Sequence, residues 1–385
     1  MMRELQESEI LRIKESFLEN KDEIQLSESN IETDLQIDLL SGGSSNINYR
    51  VKCKKNSKKF FVKHQTIPPI SINYSNNLER EFTVAKYLSK PSIDLSPRPY
   101  YLDIKRKIMV TDFVRGYHPK IHDKNIGKIL RQIGMAISKF RKFPPELLQF
   151  LNTGTRICPR EFFHKVIKPS IYKMATQSLF DGSSSFYQFL EEIQSVLLQR
   201  LEYEPNHDCT VDWSIVKDNP GETPFGLIHN DLAFRNIIVK PNYRLSFIDF
   251  EFADFGDLAY DLAYLISENQ LLDTQSKIII QNCELNPRIL DRTNRYIKIF
   301  LPLLELANAH WTLNHISKVI SGDHTMKDFQ LPSTISQNLE YVKWKIRRLA
   351  SILPLKSPIF NEHQIFFEIQ DALKIFETQI LISGK

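Results

Sequence analysis

The sequence predicts an α+β fold with two lobes, a small lobe built on an antiparallel sheet with one helix and a larger, mainly helical lobe. Three features indicate this architecture. After residue 35, short apolar runs alternate with small or polar turn residues, as strands do. After residue 113, apolar residues recur mainly at helical spacing. One segment of short apolar runs, PFGLIHNDLAFRNIIVKPNYRLSFIDFEFAD, interrupts these helices. The predicted domains are a leading helical segment (1–35), a small lobe (36–113) and a large lobe (114–385).

The composition is that of an ordinary globular protein. The chain has 385 residues, 42% hydrophobic and 25% charged, and this length suggests more than one domain. The net charge of +4, from 50 basic and 46 acidic residues, is small for this length, so no nucleic-acid partner is expected. No run approaches the roughly 18 apolar residues of a membrane span, and the first ten residues are too charged to begin a signal peptide. We expect a cytoplasmic protein without a membrane partner, either a monomer or a homodimer.

The four cysteines are far apart in the sequence. They form neither a CxxC motif nor a Cys/His cluster, so their spacing indicates no disulfide framework and no structural zinc site. A reducing cytoplasm agrees with this pattern. The cysteines are Cys53, Cys158, Cys209 and Cys283.

The elements of the small lobe follow from turn residues and periodicity. Helical spacing from Glu9 to Asp22 predicts a short leading helix. The segment IDLLSGGSSNINYRVKCKKNSKKFFVKHQ predicts three strands joined by turns at Gly42-Gly43 and at residues 54–59. A helix over Leu78–Leu88 and a strand over residues 107–114 complete the lobe.

Helices dominate the large lobe. Two sets of apolar residues each share one helical face. Residues 204–224 are rich in Asp, Asn, Pro and Gly and predict a long surface loop. The residues of the two helical faces are Ile126, Ile129, Ile133, Ile137 and Phe140 in the first, and Phe186, Leu190, Ile193, Leu197 and Leu201 in the second.

Four polar residues at the ends of short apolar runs form the candidate catalytic group. His229, Asp231 and Asn236 follow the run that ends at Ile228, and Asp249 follows the next hairpin. Phosphoryl transfer to a hydroxyl needs a carboxylate that orients the nucleophile and accepts its proton, together with oxygen ligands that hold Mg²⁺ against the phosphates. We assign Asp231 as the base and Asn236 and Asp249 as metal ligands. His229 is assigned as a buried hydrogen-bonding residue that shapes the loop.

These motifs resemble those of the aminoglycoside phosphotransferase and choline kinase superfamily, which has a protein-kinase-like fold. The segment FIDFEFADFGDLAYDLAYL resembles the I-D-[FW]-[EG] metal motif and the G-D-x-x-x-D-L-A tail of the aminoglycoside enzymes. Asp249 lies 13 residues after Asn236, the spacing of such kinases, whereas Asp254 of the DFG sequence lies 18 residues after it. The resemblance covers roughly residues 36–320. It implies ATP and Mg²⁺ as cofactors and the hydroxyl of a small molecule as acceptor.

Nucleotide-binding residues are assigned in the small lobe. Lys63, in the strand FFVKH, corresponds to the kinase lysine that reaches the α- and β-phosphates. Glu81 would hold it by an ion pair, with Glu79 as a nearby competitor. The segment SGGSSNINYRV resembles the GGxTNxxYxV loop of choline and ethanolamine kinases, where backbone N–H groups approach phosphate. The predicted nucleotide-binding residues are Gly42, Gly43, Ser44, Ser45, Asn46, Lys63, Glu81, Asp112 and Val114.

Three features of the sequence resemble the choline and ethanolamine kinase branch and predict the class of the acceptor. The tripeptide at 229–231, Phe250-Glu251 and LANAHWTLNHI resemble this branch, and the last resembles its aromatic helix at the choline site. Aromatic rings bind a quaternary amine by cation–π attraction. Ala233 replaces the family's glutamine, and Arg235 replaces its usual glycine; a guanidinium there would repel a cation, bind phosphate or face away. The predicted substrate-binding residues are Glu251, Asp254, Arg235, Tyr260 and Trp311.

The sequence leaves several functions open. The leading prediction is a kinase of an amino alcohol such as choline or ethanolamine, or of a related cationic metabolite. The DLAYDLA segment also favours an aminoglycoside-type phosphotransferase. A missing A-P-E segment disfavours a protein kinase, and the presence of the expected lysine, carboxylates and asparagine disfavours an inactive nucleotide-binding scaffold. The lysine-rich turn at 52–59 is compatible with contact to RNA or to an anionic surface, although a solvated hairpin tip explains it better.

Overall fold

The computed structural model describes residues 7–40, 46–65, 77–151, 158–169, 185–203, 211–320, 335–353, 364–365 and 367–371. Two compact units divide the chain. One contains residues 1–140, 229–254 and 269–284, and the other contains residues 141–228, 255–268 and 285–385. A small antiparallel sheet and a mainly helical remainder confirm the predicted fold class. The domain boundaries near residues 35 and 113 stay predictions.

The described helices and strands follow one another along the chain. They are α1 (Glu7–Glu19), α2 (Lys21–Ile24), α3 (Glu28–Thr33), β1 (Leu35–Leu40), β2 (Asn46–Cys53), β3 (Lys59–Gln65), α4 (Asn77–Leu88), β4 (Pro99–Asp103), β5 (Ile108–Asp112), α5 (Ile126–Arg141), α6 (Pro145–Leu151), α7 (Pro159–Phe162), α8 (Ser185–Tyr203), α9 (Trp213–Asp218), β6 (Phe225–Ile228), β7 (Ile237–Val239), β8 (Leu245–Phe247), β9 (Asp254–Asp257), α10 (Leu258–Glu268), α11 (Asp273–Gln281), α12 (Pro287–Ile320) and α13 (Ile335–Ile352).

The sheet of the first unit has five strands in the order β1-β2-β3-β5-β4, with antiparallel pairing between neighbours. Its first three strands form the meander that the sequence predicts. In this register, Lys63 on β3 lies between Asn48 of β2 and Met109 of β5. Lys63 is therefore on a central strand, where neighbours on both sides restrict its position.

The helices α1, α2 and α3 cover one face of the sheet. Phe17 of α1 packs edge-on against Phe60 of β3, with ring centroids 5.5 Å apart. Tyr49 and Val51 of β2 belong to the same buried cluster. Because side chains alternate between the faces of a strand, Lys63 lies on the face opposite these helices. The predicted leading helix is present, but it ends at Glu19 rather than at residue 22.

In the rest of the first unit, the helix α5 packs against the segment that carries some of the predicted catalytic residues. Phe140, at the end of α5, packs against Phe247 and Phe250, which flank the end of the β7–β8 hairpin, with ring centroids 5.3 and 6.2 Å away. The helices α5 and α11 approach closely at Gly134, where an added Cβ would lie 2.3 Å from the Ile279 carbonyl oxygen. A side chain at Gly134 would therefore push these two helices apart.

The second unit contains the pair of strands β6 and β9, and most of its described residues are helical. The Asp257 carboxylate accepts a hydrogen bond of 2.9 Å from the Ala259 N–H, so it caps α10 as an N-terminal carboxylate does. The other Asp257 oxygen lies 2.7 Å from Arg292 of α12. Among the described residues, no helix is long and apolar enough to cross a membrane.

Two expectations from the sequence need correction in this unit. The predicted loop at 204–224 contains α9, because Asp212 caps the helix and Trp213 stacks on Phe255 with ring centroids 4.6 Å apart; residues 204–210 lie outside the described residues. Cys158 is disulfide-bonded, whereas Cys53 and Cys283 are free and buried. Spacing between distant cysteines carries no information about their pairing, so the sequence does not reveal this bond.

Candidate functional site

Lys63 is buried and contacts three carboxylates, of which Glu81 and Glu251 are buried and Asp249 is half-buried. Its Nζ is 2.6 Å from Glu81 Oε2, 2.6 Å from Asp249 Oδ1 and 3.2 Å from Glu251 Oε2. The residues Lys63, Glu81 and Glu251 are each no more than 5% exposed. The ion pair between Lys63 and Glu81 thus forms as expected, and two further carboxylates join it. We call Lys63, Glu81, Asp249 and Glu251 the lysine cluster.

The helix α4 presents Glu81 to the cluster because of its apolar face. Glu81 follows Leu78 by three residues and precedes Leu88 by seven, so all three lie on one side of the helix. Both leucines are buried, and Glu81 is carried inward with them. Glu79, the competitor considered from the sequence, is only partly buried. Helical periodicity therefore decides which glutamate meets Lys63.

The electrostatics of the lysine cluster keep its ammonium charged. Burial alone would lower the pKa of Lys63, but the charges of Asp249, Glu251 and Glu81 outweigh it and raise the pKa well above its usual value. Burial raises the pKa of Glu81 and of Glu251. For Asp249, burial would raise the pKa, but the charge and the hydrogen bond of Lys63 outweigh this effect and lower the pKa of the carboxyl. Asp249 is therefore a carboxylate at neutral pH.

Two site residues have left-handed backbones. Asn230 and Asp249 both have φ of 67°. Residues other than glycine adopt this region at an energetic cost, which commonly occurs at functional sites. Asn230 compensates by donating a hydrogen bond of 3.0 Å from Nδ2 to the Phe252 carbonyl oxygen. The left-handed turn at Asp249 directs the chain from β8 into the 3₁₀ turn that carries Glu251.

His229 is fully buried and links the two loops of the site. Its Nε2 lies 2.9 Å from the Ile248 carbonyl oxygen, next to Asp249. Its ring centroid is 4.6 Å from that of Phe250. These contacts are compatible with the assignment of His229 as a residue that shapes the loop, and this role stays a prediction.

Both carboxylate oxygens of Asp231 accept hydrogen bonds. Asn236 Nδ2 lies 2.8 Å from Oδ2 and 2.8 Å from the Asp231 carbonyl oxygen. Arg235 Nη2 lies 2.5 Å from Oδ1. The guanidinium of Arg235 is therefore paired with the candidate base, an arrangement that the sequence analysis did not consider. The Asp231 side chain is 17% exposed, so one side of this carboxylate remains accessible to a small molecule.

The oxygen atoms around Lys63 fit a hard cation. Single oxygens of Glu81, Asp249 and Glu251 lie within 4.8 Å of one another. The backbone carbonyl oxygen of Asn236 accepts a hydrogen bond of 3.0 Å from the Ile248 N–H. This contact brings Asn236 next to Asp249 in space. Because the Asn236 amide nitrogen is bound to Asp231, its Oδ1 is the atom available as a ligand. When all three carboxyls are ionised, the cluster with its one ammonium has a net charge of −2, which one divalent cation with oxygen ligands would neutralise.

The predicted nucleotide-binding residues occupy different places. Gly42, Gly43, Ser44 and Ser45 lie outside the described residues. Asn46 joins the lysine cluster through a hydrogen bond of 2.9 Å from Nδ2 to Glu251 Oε2. Asp112 accepts a hydrogen bond of 2.6 Å from the Tyr100 hydroxyl. Asp112 and Val114 line a cavity of about 390 Å³ that no member of the lysine cluster lines; the cavity also includes Ser89, Asp94, Arg98 and Lys240.

The predicted acceptor-binding residues are also divided. Glu251 contacts Lys63 and Asn46, and Asp254 at the start of β9 is fully buried. Tyr260 and Trp311 belong to the second unit. Tyr260 is buried against Phe162 and Phe300, whereas Trp311 is 46% exposed and stacks on His315 with ring centroids 5.8 Å apart.

Sequence reasoning missed the position of Glu251 as a partner of Lys63. It assigned Glu251 to the acceptor because a carboxylate suits a cationic substrate. No local pattern indicated this contact, because Lys63 is far from Glu251 in the sequence and the 3₁₀ turn that carries Glu251 is visible only in the structure. Asn230 was also missed, since its left-handed backbone is visible only in the structure.

Two comparisons with known sequences give matches. Residues 36–280 match the model of the Phosphotransferase enzyme family. Over 53 residues, 14% of this chain, the sequence is 42% identical to the protein LicA homolog of Metamycoplasma hominis, and the match spans only 21% of that relative.

Solved structures share the fold. An ethanolamine kinase from Plasmodium vivax has a TM-score of 0.55 and 18% identity, over 93% of this chain and 90% of that chain. The choline kinase LicA from Streptococcus pneumoniae has a TM-score of 0.55 and 18% identity, over 88% and 98%. The gentamicin complex of APH(2″)-IIa has a TM-score of 0.56 and 15% identity, over 95% and 99%. At these identities the likeness establishes the fold alone.

Proposed function

Because the chain belongs to the Phosphotransferase enzyme family, we propose that it transfers the γ-phosphoryl group of ATP to a hydroxyl group of a small molecule. The observation that carries this proposal is the lysine cluster, in which a buried ammonium contacts three carboxylates at 2.6 to 3.2 Å. Such a group has the residue types that kinases use to hold phosphates and metal. Asp231 and Asn236 belong to the same compact unit.

The lysine cluster would position the nucleotide. Lys63 would bind the phosphates as a fixed cation, and Glu81 would orient it, because this pair is almost fully buried. Asp249, Asn236 and Glu251 are the residues that would hold Mg²⁺. When bound, Mg²⁺ supplies positive charge that neutralises the phosphate oxygens.

Asp231 would orient the acceptor and accept its proton. Asn236 fixes the carboxylate through Oδ2 and through the Asp231 backbone, so the base has one defined orientation. A fixed, correctly oriented base saves the entropy of aligning the reacting groups. His229 would hold this loop against the segment that leads to Asp249.

For the acceptor, we propose an amino alcohol such as choline or ethanolamine. The local 42% identity to a LicA homolog supports this assignment, as does the resemblance of the 229–231 and 250–251 segments to choline and ethanolamine kinases. An aminoglycoside is the second candidate, because the DLAYDLA segment resembles the antibiotic-modifying enzymes. The two classes share a hydroxyl acceptor and a positive charge.

An ADP-release assay tests this proposal. The full chain is given Mg-ATP and, in separate reactions, choline, ethanolamine, an aminoglycoside, thiamine or a sugar, with Asp231→Asn as the inactive variant. We expect turnover with an amino alcohol that is lost in D231N, since the amide cannot accept the proton. Turnover with the aminoglycoside alone would replace the proposed acceptor. A lack of turnover with every acceptor, combined with no Mg²⁺-dependent binding of ATP, would exclude the kinase function.

A further inference from the structure

Arg235 is a cation placed directly on the candidate base. It lies four residues after Asp231, in the 3₁₀ turn Phe234–Asn236. This turn brings Nη2 within 2.5 Å of Asp231 Oδ1. In the loop sequence HNDLAFRN, Arg235 is the single lysine or arginine, and Ala233 on the same loop has no polar group. Any cationic contact from this loop to a substrate must therefore come from Arg235.

Arg235 lies beside the candidate base and next in sequence to a proposed metal ligand, Asn236. It pairs with one oxygen of Asp231, and Asn236, the next residue in the chain, donates a hydrogen bond of 2.8 Å to the other oxygen of the same carboxylate. Asn236 and Asp249 are the residues that would hold the metal. The transferred phosphoryl group would pass to an acceptor held by Asp231, the partner of Arg235. The guanidinium is therefore close to the path of the transferred group.

The geometry of the guanidinium permits a second contact. Arginine has five N–H donors in a planar fork, more than one carboxylate oxygen can accept. The Arg235 side chain is 32% exposed, so a ligand bound beside Asp231 can reach it. Guanidinium groups bind phosphate oxygens strongly because their donors match the spacing of those oxygens.

We propose that Arg235 is a catalytic residue that contacts the transferring phosphoryl group, an inference that rests on the function proposed above. In the complex with ATP and acceptor, its guanidinium donates to γ-phosphoryl oxygens while Asp231 receives the acceptor hydroxyl. The bond between the hydroxyl oxygen and phosphorus forms, and the bond between phosphorus and the oxygen bridging to ADP breaks. The hydroxyl proton passes to Asp231, and Arg235 keeps all of its protons.

Steady-state kinetics of Arg235→Gln and Arg235→Lys test this role. We expect R235Q to lower kcat by roughly 10²- to 10³-fold, the usual effect of removing one donor to a developing charge, with nearly unchanged KM values. R235K should retain more activity than R235Q, because it keeps the charge. The matched control is Arg295→Gln, which removes an exposed Arg–Asp pair of the same i,i+4 spacing on α12 and should change nothing. An R235Q enzyme with unchanged kcat, or with only a raised KM for the acceptor, would overturn the proposal.

A binding measurement separates this inference from the choice of acceptor. Calorimetry with Mg-ADP alone and with Mg-ADP plus aluminium fluoride, which mimics the transferring phosphoryl group, needs no acceptor. We expect fluoride to tighten binding in the wild type and in R295Q, and R235Q to lose this gain while binding Mg-ADP normally. Equal gains in R235Q and the wild type would refute the proposal. Tight wild-type binding without turnover of any acceptor would instead count against the proposed function alone.

Chemical rescue provides a test that a structural role would not pass. Arg235→Gly leaves space where the side chain stood, and free guanidinium ion can fill it. We expect guanidinium to restore part of kcat in R235G with saturation, and to leave R235Q and R295Q unchanged. An R235G enzyme that is folded by its thermal transition yet does not respond to guanidinium would contradict the proposal.

Discussion

At the scale of single residues, charge and burial determine how the candidate site is built. Lys63 is 3% exposed and would be costly to bury as an isolated ammonium. The three carboxylates around it offset that cost, and it offsets theirs. Removal of any one of these charges therefore leaves the remaining charges of the lysine cluster without full compensation. Substitutions there should affect stability as well as activity.

We predict that Lys63→Met destabilises the protein and makes its stability depend on Mg²⁺. Removing one partner of a buried ion pair costs about 3–5 kcal/mol, because the remaining charges stay unpaired. A divalent cation should recover part of this loss by binding the three carboxylates. Thermal unfolding with and without Mg²⁺ measures both effects, with the exposed Lys105→Met as control. Equal stabilisation of K63M, K105M and the wild type by Mg²⁺ would disprove the second effect.

His64, adjacent to Lys63 on β3, should make stability sensitive to acid. Burial and the neighbouring charge of Arg12 lower the pKa of His64. Arg12 Nη1 lies 3.1 Å from His64 Nε2, and since arginine can only donate, this nitrogen accepts and the ring is neutral. The unfolded chain, with the ordinary pKa of about 6.5, therefore binds more protons below that pH. Stability is present above about pH 6.5 and is lost as the pH falls through the lower folded-state value.

Urea unfolding of the wild type and His64→Gln from pH 8 to pH 5 tests this sign. We expect the wild type to lose more stability than H64Q over the acid range, since glutamine has no proton to gain. The exposed His122→Gln should behave as the wild type does. A parallel decline of the wild type and H64Q would show that other groups cause the acid sensitivity.

At the scale of elements, the second unit depends on a buried ionic network between three helices. Lys345 of α13 is fully buried, with Nζ 2.9 Å from Glu268 of α10 and 3.0 Å from Glu305 of α12. It also donates a hydrogen bond of 2.7 Å to the Ser267 hydroxyl. Arg348, one turn further along α13, lies 3.1 Å from the second oxygen of Glu305. Only one arrangement of the three helices satisfies these contacts together.

We predict that Lys345→Met lowers the free energy of unfolding by about 3–5 kcal/mol, because two buried carboxylates lose their shared partner. The control is Lys343→Met on the same helix, whose partner Glu340 is 62% exposed and whose loss should cost about 0–1 kcal/mol. Urea denaturation of the full chain compares the two variants. If K345M and K343M unfold at the same urea concentration, the network contributes little to stability.

At the scale of the whole molecule, ligand binding should be visible in the stability of the fold. Any ligand that binds only the folded chain stabilises it by mass action, by about 2.7 kcal/mol at a hundredfold excess over Kd. We expect Mg-ATP to raise the unfolding temperature and EDTA to remove most of that gain. Asp249→Asn should lose the Mg²⁺-dependent part, whereas Asp291→Asn, an exposed position on α12, should keep it. The same gain with ATP in EDTA as with Mg-ATP would argue against a metal at this site.

Much of this organisation is readable from the sequence. The fold class, the strand order of the meander and the α4 helix follow from periodicity and turn residues along the chain. The choice of Glu81 as the partner of Lys63 follows from the resemblance of the segment LEREFTVAKYL to the family's helix. These features depend on neighbours within a few residues, so a local pattern is sufficient. The helix at Trp213–Asp218 was missed because its stabilising stack on Phe255 joins residues 42 positions apart.

The sequence by itself determined which residue types are available: a strand lysine, a helix glutamate, and the polar residues of the loops at 229–236 and 249–251. The tertiary structure alone decided how they pair. It brought Glu251 and Asn46 to the lysine cluster, turned Arg235 onto Asp231 and gave Asp249 a left-handed backbone. Lys63 and Asp249 are separated by 186 residues. Contacts over such distances depend on the balance of burial and charge in the folded chain, which no local pattern encodes.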